Sequence, residues 1–296
     1  MLEIFSPQPE IPGLALRSLA ALAFTCAAAY FDAFNKKWVP NYLVYGFLGC
    51  ALALNVLFFD SALFIQALVI AAAVFGSTYL LYKAGQLGGA DAYVLTSISL
   101  CVPYLSKPFL AGEQSVPYPF ILSVLAPTGL AFILHMVARF LPYISRKISK
   151  GEVRFGLTKI AGPLLLLLAF AFFIYSISIL PVALPIQYVA ILSFLFASLF
   201  FFSLFKEEIK DSMVEMVPVS RLQEEDVLAL EKMDKHLAKK LGLSPLIGKA
   251  AIAILKKSKL KRVPVYTGMP FFLPYLLLGL AFSLLFGDLL YYLARF

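Results

Sequence analysis

The sequence predicts an all-α protein, a polytopic bundle of about eight transmembrane helices with a small helical cytoplasmic segment. Of its 296 residues, 61% are hydrophobic and only 14% are charged, and the mean hydropathy is +0.87. A soluble domain of this length does not need so much apolar material. The apolar residues also fall in long runs. Inside hydrocarbon such runs have to be helices, because each backbone polar group must be satisfied within its own segment.

Eight apolar runs approach the roughly 20 residues that cross a bilayer. The fourth run is short, and the polar stretch that follows the fifth, 142–159, leaves the boundaries around it open. The eight predicted spans are 14–34, 39–59, 61–82, 91–105, 119–141, 160–180, 186–205 and 269–293. The chain is therefore expected to divide into a membrane domain (1–205), a cytoplasmic segment (206–268) and a last transmembrane helix (269–296).

The distribution of basic residues predicts the orientation. The net charge is +8, but the Lys and Arg residues are concentrated in the loops on one side of the predicted bundle. With the N-terminus outside, all but three of the 25 Lys and Arg residues fall on the inner side, the exceptions being Arg17, Lys107 and Arg295. The positive-inside rule assigns that side to the cytoplasm. The charge thus indicates a multi-pass protein of the cell membrane, and no nucleic-acid partner is predicted.

The cytoplasmic segment carries helix signals. Ser220 to Gln223 has the spacing of a capping box, and apolar residues follow at approximately helical intervals. Ser244 and Pro245 have the pattern of an N-cap followed by the first residue of a second helix. The basic run 256–262 at its end is predicted to hold the topology and to contact anionic lipid headgroups.

Two acidic residues stand at the edges of apolar runs. Asp32 ends the first span, and Asp91 begins the fourth directly after Gly88, Gly89 and Ala90. An ionisable group in such a place costs about 2.5–3.5 kcal/mol on insertion scales and marks a functional site by default. The predicted topology puts both residues at the cytoplasmic boundary, where two carboxyls sharing one proton could activate water. A plain helix cap is the alternative for Asp91.

The glycines before Asp91 allow another chain to approach closely, so a substrate strand could lie beside the carboxylate. A flexible connection between helices is the alternative.

Other catalytic chemistry is not indicated, since His135 and His236 have no metal-ligand neighbours at helical spacing and the three cysteines lack zinc spacing. Neither His-Glu-x-x-His nor Gly-x-Ser-x-Gly occurs. No metal and no cofactor are therefore expected.

The aspartates and their flanks resemble the GxGD aspartic proteases of membranes, specifically the type IV prepilin and archaeal preflagellin (archaellin) peptidases. Ala90 stands where the nominal motif has Gly, a variant similar to the archaeal branch. The stretches 219–228 and 268–274, the second of which contains Pro270 and Phe271, also look archaeal in type. The matching residues are Asp32, Lys36, Lys37, Val39, Pro40, Asn41, Gly88, Gly89, Ala90 and Asp91.

The resemblance implies that Asp32 and Asp91 are the catalytic pair of an aspartic endopeptidase. The implied substrate is a prepilin or preflagellin precursor, with a short basic leader and a hydrophobic helix, cut at the cytoplasmic membrane boundary. Bacterial members often carry a Cys-x-x-Cys zinc loop and a methyltransferase activity. Because that motif is missing here, peptidase activity alone is expected. Residues expected to bind substrate or shape the site are Gly88, Gly89, Ala90, Pro40, Asn41, Pro270 and Phe271.

Helix-end electrostatics suggest roles for the two acids. Asp91 lies at a helix N-terminus, which favours the ionised form, and Asp32 lies near a C-terminus, so Asp91 is predicted to be the base. Two other functions remain open. A proton-coupled transporter would use the aspartates as a relay near the membrane midplane. A presenilin-like intramembrane protease would cut within the substrate helix. The sequence leaves the oligomeric state open.

Overall fold

A computed structural model describes residues 11–35, 38–105, 107–112, 114, 116, 118–153, 156–179, 186–223, 226–234, 241–258, 260–267, 270–289 and 291. The protein is mostly helical, as predicted. Its elements, in chain order, are α1 (Leu14–Phe34), α2 (Asn41–Leu57), α3 (Ser61–Lys83), α4 (Gly89–Cys101), α5 (Phe120–Ser149), α6 (Leu157–Ile179), α7 (Ile186–Leu204), α8 (Lys206–Met213), β1 (Val214–Pro218), α9 (Lys249–Lys257), β2 (Arg262–Tyr266) and α10 (Leu273–Phe286).

The short helix α4 lies at the centre of the bundle. It packs against α1, α2, α3 and α5, and ten of its 13 residues are buried. The helix α10 packs against both α1 and α5, so that α1 and α10, which are far apart in the chain, meet. The hairpin of α6 and α7 stands at the outside, where α7 contacts α5. The bundle therefore places the first and fourth spans, which carry the two aspartates, next to each other.

Among the described residues, five helices are long and apolar enough to cross a membrane: α1, α3, α5, α7 and residues 159–176 of α6. The other three predicted spans correspond to shorter helices, with 17 residues in α2, 13 in α4 and 14 in α10. At 1.5 Å per residue α4 is about 20 Å long, less than the roughly 30 Å of the hydrocarbon core. The multi-pass architecture is thus supported by five helices, and the total of about eight spans stays a prediction.

The fifth helix does not end where the sequence suggested. The predicted span stopped at 141, before the polar stretch 142–159, but α5 continues to Ser149 with Pro142 inside it. Phe140 and Ile144, on either side of Pro142, are buried with Phe205 and Ile209 in one apolar cluster. This apolar contact with the end of α7 and with α8 stabilises a helical extension that the proline alone would have terminated.

The soluble residues between α8 and α10 form a small domain that we call the cap (214–267). The strands β1 and β2 pair antiparallel within it, from Val214 opposite Tyr266 to Pro218 opposite Arg262. The segment 206–268 was predicted to be helical, and it holds the helices α8 and α9 together with a pair of strands that the sequence did not indicate. Of the capping-box residues, only Ser220 and Arg221 are helical, in a single 3-10 turn (Val219–Arg221), and α9 begins at Lys249, four residues after Pro245.

Tertiary hydrogen bonds explain this difference. The backbone N–H groups of Leu228 and Ala229 donate to the carbonyls of Pro245 and Pro264, at 2.8 and 3.0 Å. The segment 226–229 is thereby held between 245–247 and β2 and cannot continue as a helix. Its apolar residues join the buried core of the cap, which contains Val219, Leu222, Leu228, Ile247, Leu255, Val263 and Val265.

At the end of the bundle opposite the aspartates, Arg17 fixes the position of α4. Its side chain is fully buried and donates to the carbonyl oxygens of Leu54 and Cys101 and to Oδ1 of Asn55. Asn55 in turn donates to the carbonyl of Leu100. These acceptors lie at the C-terminal ends of α2 and α4, where helix dipoles favour a positive charge. The contacts join α1, α2 and α4 at one point.

Candidate active site

Asp32 lies in the last turn of α1 and is 8% exposed. Its Oδ2 accepts hydrogen bonds from the backbone N–H groups of Phe272 and Leu273, both at 3.2 Å. These residues begin α10, and Pro274, in the first turn, has no N–H to offer. The carboxylate of Asp32 therefore caps the N-terminus of a helix 240 residues away in the sequence, and it is oriented by that helix.

Asp91 lies in the first turn of α4 and is 9% exposed. Its Oδ2 accepts a hydrogen bond from the backbone N–H of Gly88 at 2.9 Å, so that it caps its own helix. The backbone of Gly88 has an ordinary φ of −73°, and the glycine is needed there for space. A Cβ on Gly88 would lie 3.0 Å from Oδ2 of Asp91 and would press on the carboxylate.

Both aspartates line one cavity of about 1620 Å³ at this end of the bundle. Its walls come from the end of α1, the starts of α2 and α4, the end of α3, the residues before α10, and the cap. Ala33, Asn35 and Trp38 line the wall beside Asp32, and Trp38 is 62% exposed. The fold thus brings the two predicted catalytic residues, which are 59 positions apart in the chain, into one partly enclosed space.

Most of the other predicted site residues also line this cavity. Asn41, Gly88, Gly89, Ala90, Pro270 and Phe271 are in its wall. Pro40 is the N-cap residue of α2 and does not belong to the lining, so its role is to begin the helix that presents Asn41. Lys36 and Lys37 lie outside the described residues.

One wall of the cavity is aromatic, a feature that was not predicted from the sequence. It consists of residues from α2, α3 and α4: Tyr45, Phe75, Tyr79, Tyr82 and Tyr93. The ring of Tyr93 lies 5.5 Å, between centroids, from both Tyr45 and Phe75. Tyr45 and Tyr79 are 55% and 41% exposed, so this wall reaches the outer surface of the helices. These aromatic residues belong to three separate helices and form no local sequence motif. They come together only through tertiary packing.

The cap forms the remaining side of the cavity. One face of α9, with Lys249, Ile252, Ala253 and Lys256, lines it, as do Leu222, Gln223, Asp226, Val227, Leu246, Tyr266 and Thr267. The turn before Asp91 lies close to the cap. If Gly85 carried a Cβ atom, that atom would lie 3.7 Å from Val227 and 3.9 Å from Pro245, both of which belong to the cap. Gly85 has a φ of +71°, a left-handed conformation that favours glycine.

The helix ends around the two carboxylates differ from those assumed when Asp91 was predicted to be the base. The expectation that Asp91 is the base assumed that only Asp91 lies at a helix N-terminus. In the structure each aspartate accepts backbone N–H groups at such a terminus, Asp32 from α10 and Asp91 from α4. Both positions favour a negative charge. Helix ends therefore do not distinguish the base from the acid.

The fold and the cavity define a multi-pass helical membrane protein with two aspartates in one cavity at the end of its bundle. Residues 19–138, which include both aspartates, match the model of the type IV leader peptidase family. The predicted resemblance to this family is therefore confirmed over these residues. The matched region ends within α5 and includes neither the hairpin of α6 and α7 nor the cap. No curated protein and no solved structure matches the chain.

Proposed function

We propose that this protein is an aspartic endopeptidase that removes the short basic leader from type IV prepilin-like or preflagellin precursors at the cytoplasmic boundary of the cell membrane. One observation carries the proposal: Asp32 and Asp91, from two different helices, line the same cavity within the region that matches a peptidase family. The cavity is bordered by apolar helices on one side and by the soluble cap on the other. The precursor has a polar leader on the N-terminal side of the scissile bond and an apolar helix on its C-terminal side. The leader fits the side of the cavity formed by the cap, and the apolar helix fits the side formed by the apolar helices.

The proposed chemistry needs only the two carboxyls and water. The ionised carboxylate accepts a proton from the attacking water, whose oxygen bonds to the carbonyl carbon of the scissile amide. The protonated carboxyl donates its proton to the amide nitrogen as the carbon–nitrogen bond breaks. Two nearby acids can share a single proton in this way, because both do not ionise readily together. No cofactor is required in the proposed reaction.

The position of the aspartates favours a peptidase over a proton relay. A relay through the bilayer would place ionisable groups near its midplane. Asp32 lies in the last turn of α1 and Asp91 in the first turn of α4, so both lie at helix ends. This location also supports cleavage at the membrane boundary over cleavage inside a substrate helix.

A cleavage assay tests the proposal. Membranes containing the protein would be mixed with a prepilin or preflagellin precursor, and leader removal would be followed with the unchanged protein, Asp32→Asn and Asp91→Asn. We expect both variants to lose leader removal while remaining inserted in the membrane. Asp60→Asn is the matched control. Asp60 caps α3 through the N–H of Leu63 and lies outside the cavity, and Asn can cap equally well. Full activity in either of the first two variants would refute the paired-acid mechanism.

A further inference from the structure

The cap contributes a third carboxylate to the cavity. Asp226 lies in the cap wall of the same cavity as Asp32 and Asp91. Its neighbour Val227 faces the turn at Gly85 that leads to Asp91. Asp226 is therefore on the side of the cavity toward the soluble domain, beside the loop that carries one of the proposed catalytic residues.

Asp226 is held in place by its backbone and by its side chain. Its carbonyl accepts the N–H of Ile247 at 3.1 Å, and the next residue, Val227, accepts the N–H of Tyr266 at 2.8 Å. Its Oδ2 accepts the backbone N–H of Gln223 at 2.8 Å. These bonds connect the residue to both neighbouring segments of the cap. A carboxylate fixed in this way can discriminate between ligands by charge with little loss of side-chain entropy on binding.

The charge of Asp226 has no cationic partner in the described part of the chain. The ion pairs there join Lys159 to Glu208, Lys210 to Glu231 and Lys232 to Asp211. Burial raises the pKa of Asp226, as expected for a carboxylate that is partly removed from water. A half-buried carboxylate in a cavity wall is stabilised when a cationic ligand group reaches it, so the chemistry of the site selects a Lys or Arg side chain.

The proposed orientation of the precursor in the cavity would bring its leader to the cap wall that contains Asp226. If the scissile bond lies at Asp32 and Asp91, the apolar part of the precursor continues along the spanning helices and the leader extends toward the cap. Lys249 and Lys256, seven positions apart on α9, also line the cap wall. A cationic residue of the leader is repelled there and attracted at Asp226. The wall is thus polarised, and it favours a positive charge at one leader position over others.

We infer that Asp226 is a specificity-determining residue, which binds one basic side chain of the leader and so sets which precursors are cut. The inference rests on the proposed function and goes beyond it by assigning leader recognition to a residue of the cap. It also gives the cap a function in the reaction, although the cap lies outside the region matched by the family model.

The test is a scan of leader charge. Precursors with a neutral leader and a single Lys at successive positions would be cleaved by the unchanged protein and by Asp226→Asn, and kcat/KM would be measured for each. We expect one position at which Lys raises kcat/KM by about five- to ten-fold for the unchanged protein but not for Asp226→Asn. The quantity compared is therefore the ratio of kcat/KM between each single-Lys leader and the neutral leader, measured separately for each protein. Asp226→Lys should prefer a Glu at that same leader position.

Glu215→Gln is the matched control, because Glu215 is an exposed carboxylate of the cap, in β1, that does not line the cavity. It should keep the leader preference of the unchanged protein. Equal preference in Asp226→Asn and the unchanged protein would overturn the inference and leave the proposed function intact. A uniform loss of cleavage across all leaders would also overturn it, since that result indicates a purely structural role. Failure of the unchanged protein to cut any precursor would refute the proposed function itself.

Discussion

The carboxylate of Asp32 accepts the backbone N–H of Leu273 at 3.2 Å, so the end of the first helix caps the start of the last one. Leu273 is itself fully buried. This bond closes the bundle between elements that are 241 positions apart in the chain. A residue proposed for catalysis therefore also has a structural task, and experiments must separate the two.

Two substitutions of Asp32 can separate its proposed catalytic role from its capping of α10. Asp32→Asn keeps an oxygen that accepts the N–H groups of Phe272 and Leu273, whereas Asp32→Ala removes it. We expect Asp32→Ala to lower the free energy of unfolding by about 1–2 kcal/mol, because two N–H groups lose their acceptor, and Asp32→Asn to lower it less. Both should abolish leader removal. Thermal unfolding of the detergent-solubilised proteins measures the first effect, and equal stability of the two variants would contradict the capping role.

Gly88 offers a test of how closely Asp91 must be held. In Gly88→Ala the new methyl group would lie 3.0 Å from Oδ2 of Asp91 and displace it from the N–H of Gly88. Because small displacements of a reacting group are costly, kcat for leader removal should fall roughly ten-fold with KM nearly unchanged. Gly76→Ala, in α3, is the control, since its methyl group meets nothing within 4 Å. Unchanged kcat in Gly88→Ala would show that this space is not needed.

The packing of α10 against α5 predicts a stability defect at Gly279. A Cβ there would lie 2.0 Å from Oγ1 of Thr128 and 2.6 Å from the carbonyl oxygen of Val124. Gly279→Ala must push the two helices apart, and we expect it to lower the free energy of unfolding by about 2 kcal/mol. Cleavage should also weaken, because the start of α10 holds Asp32. In Gly46→Ala the nearest atom, on Phe24, is 3.9 Å away, so its unfolding temperature should stay unchanged. Equal stability of the two variants would contradict this packing.

The sequence predicted the membrane class, the helical bundle and the peptidase family correctly, because these depend on signals that are local or periodic. Apolar runs of spanning length and an acid directly after two glycines can be read without knowledge of the contacts. The aspartates were paired through the predicted topology, and the cavity that they share is consistent with that reasoning.

The parts that sequence reasoning missed depend on distant partners. Ser220 to Gln223 has a helix-start pattern, but the N–H of Gln223 donates to Asp226 and the residues that follow pair with distant parts of the cap. The predicted topology put Arg17 on the outer side without a partner, yet Arg17 is fully buried against helix C-termini that only the fold brings together. The capping of α10 by Asp32 has no local signal for the same reason.

A contact within the cap predicts a pH-dependent stability. The hydroxyl of Tyr266 donates to Glu231, and Lys210 lies 3.3 Å from the same carboxylate. The bond from Tyr266 is the main reason that the pKa of Glu231 is below its ordinary value. Because the folded state has the lower pKa, Glu231 contributes stability at pH values above its unfolded pKa. That contribution is lost as the pH falls through its folded pKa.

Tyr266→Phe should remove most of this contribution. We expect the variant to unfold at a lower temperature than the unchanged protein at neutral pH, and we expect the difference to shrink as the solution is acidified below the usual range of a Glu carboxyl. Glu215→Gln is the control, because Glu215 forms no hydrogen bond to Tyr266, and its difference from the unchanged protein should not follow this pH dependence. Thermal unfolding measured across the acidic range checks the prediction. A difference between Tyr266→Phe and the unchanged protein that stays constant with pH would show that the phenol acts only through packing, since linkage requires the contribution of Glu231 to be lost once this carboxyl is protonated in both states.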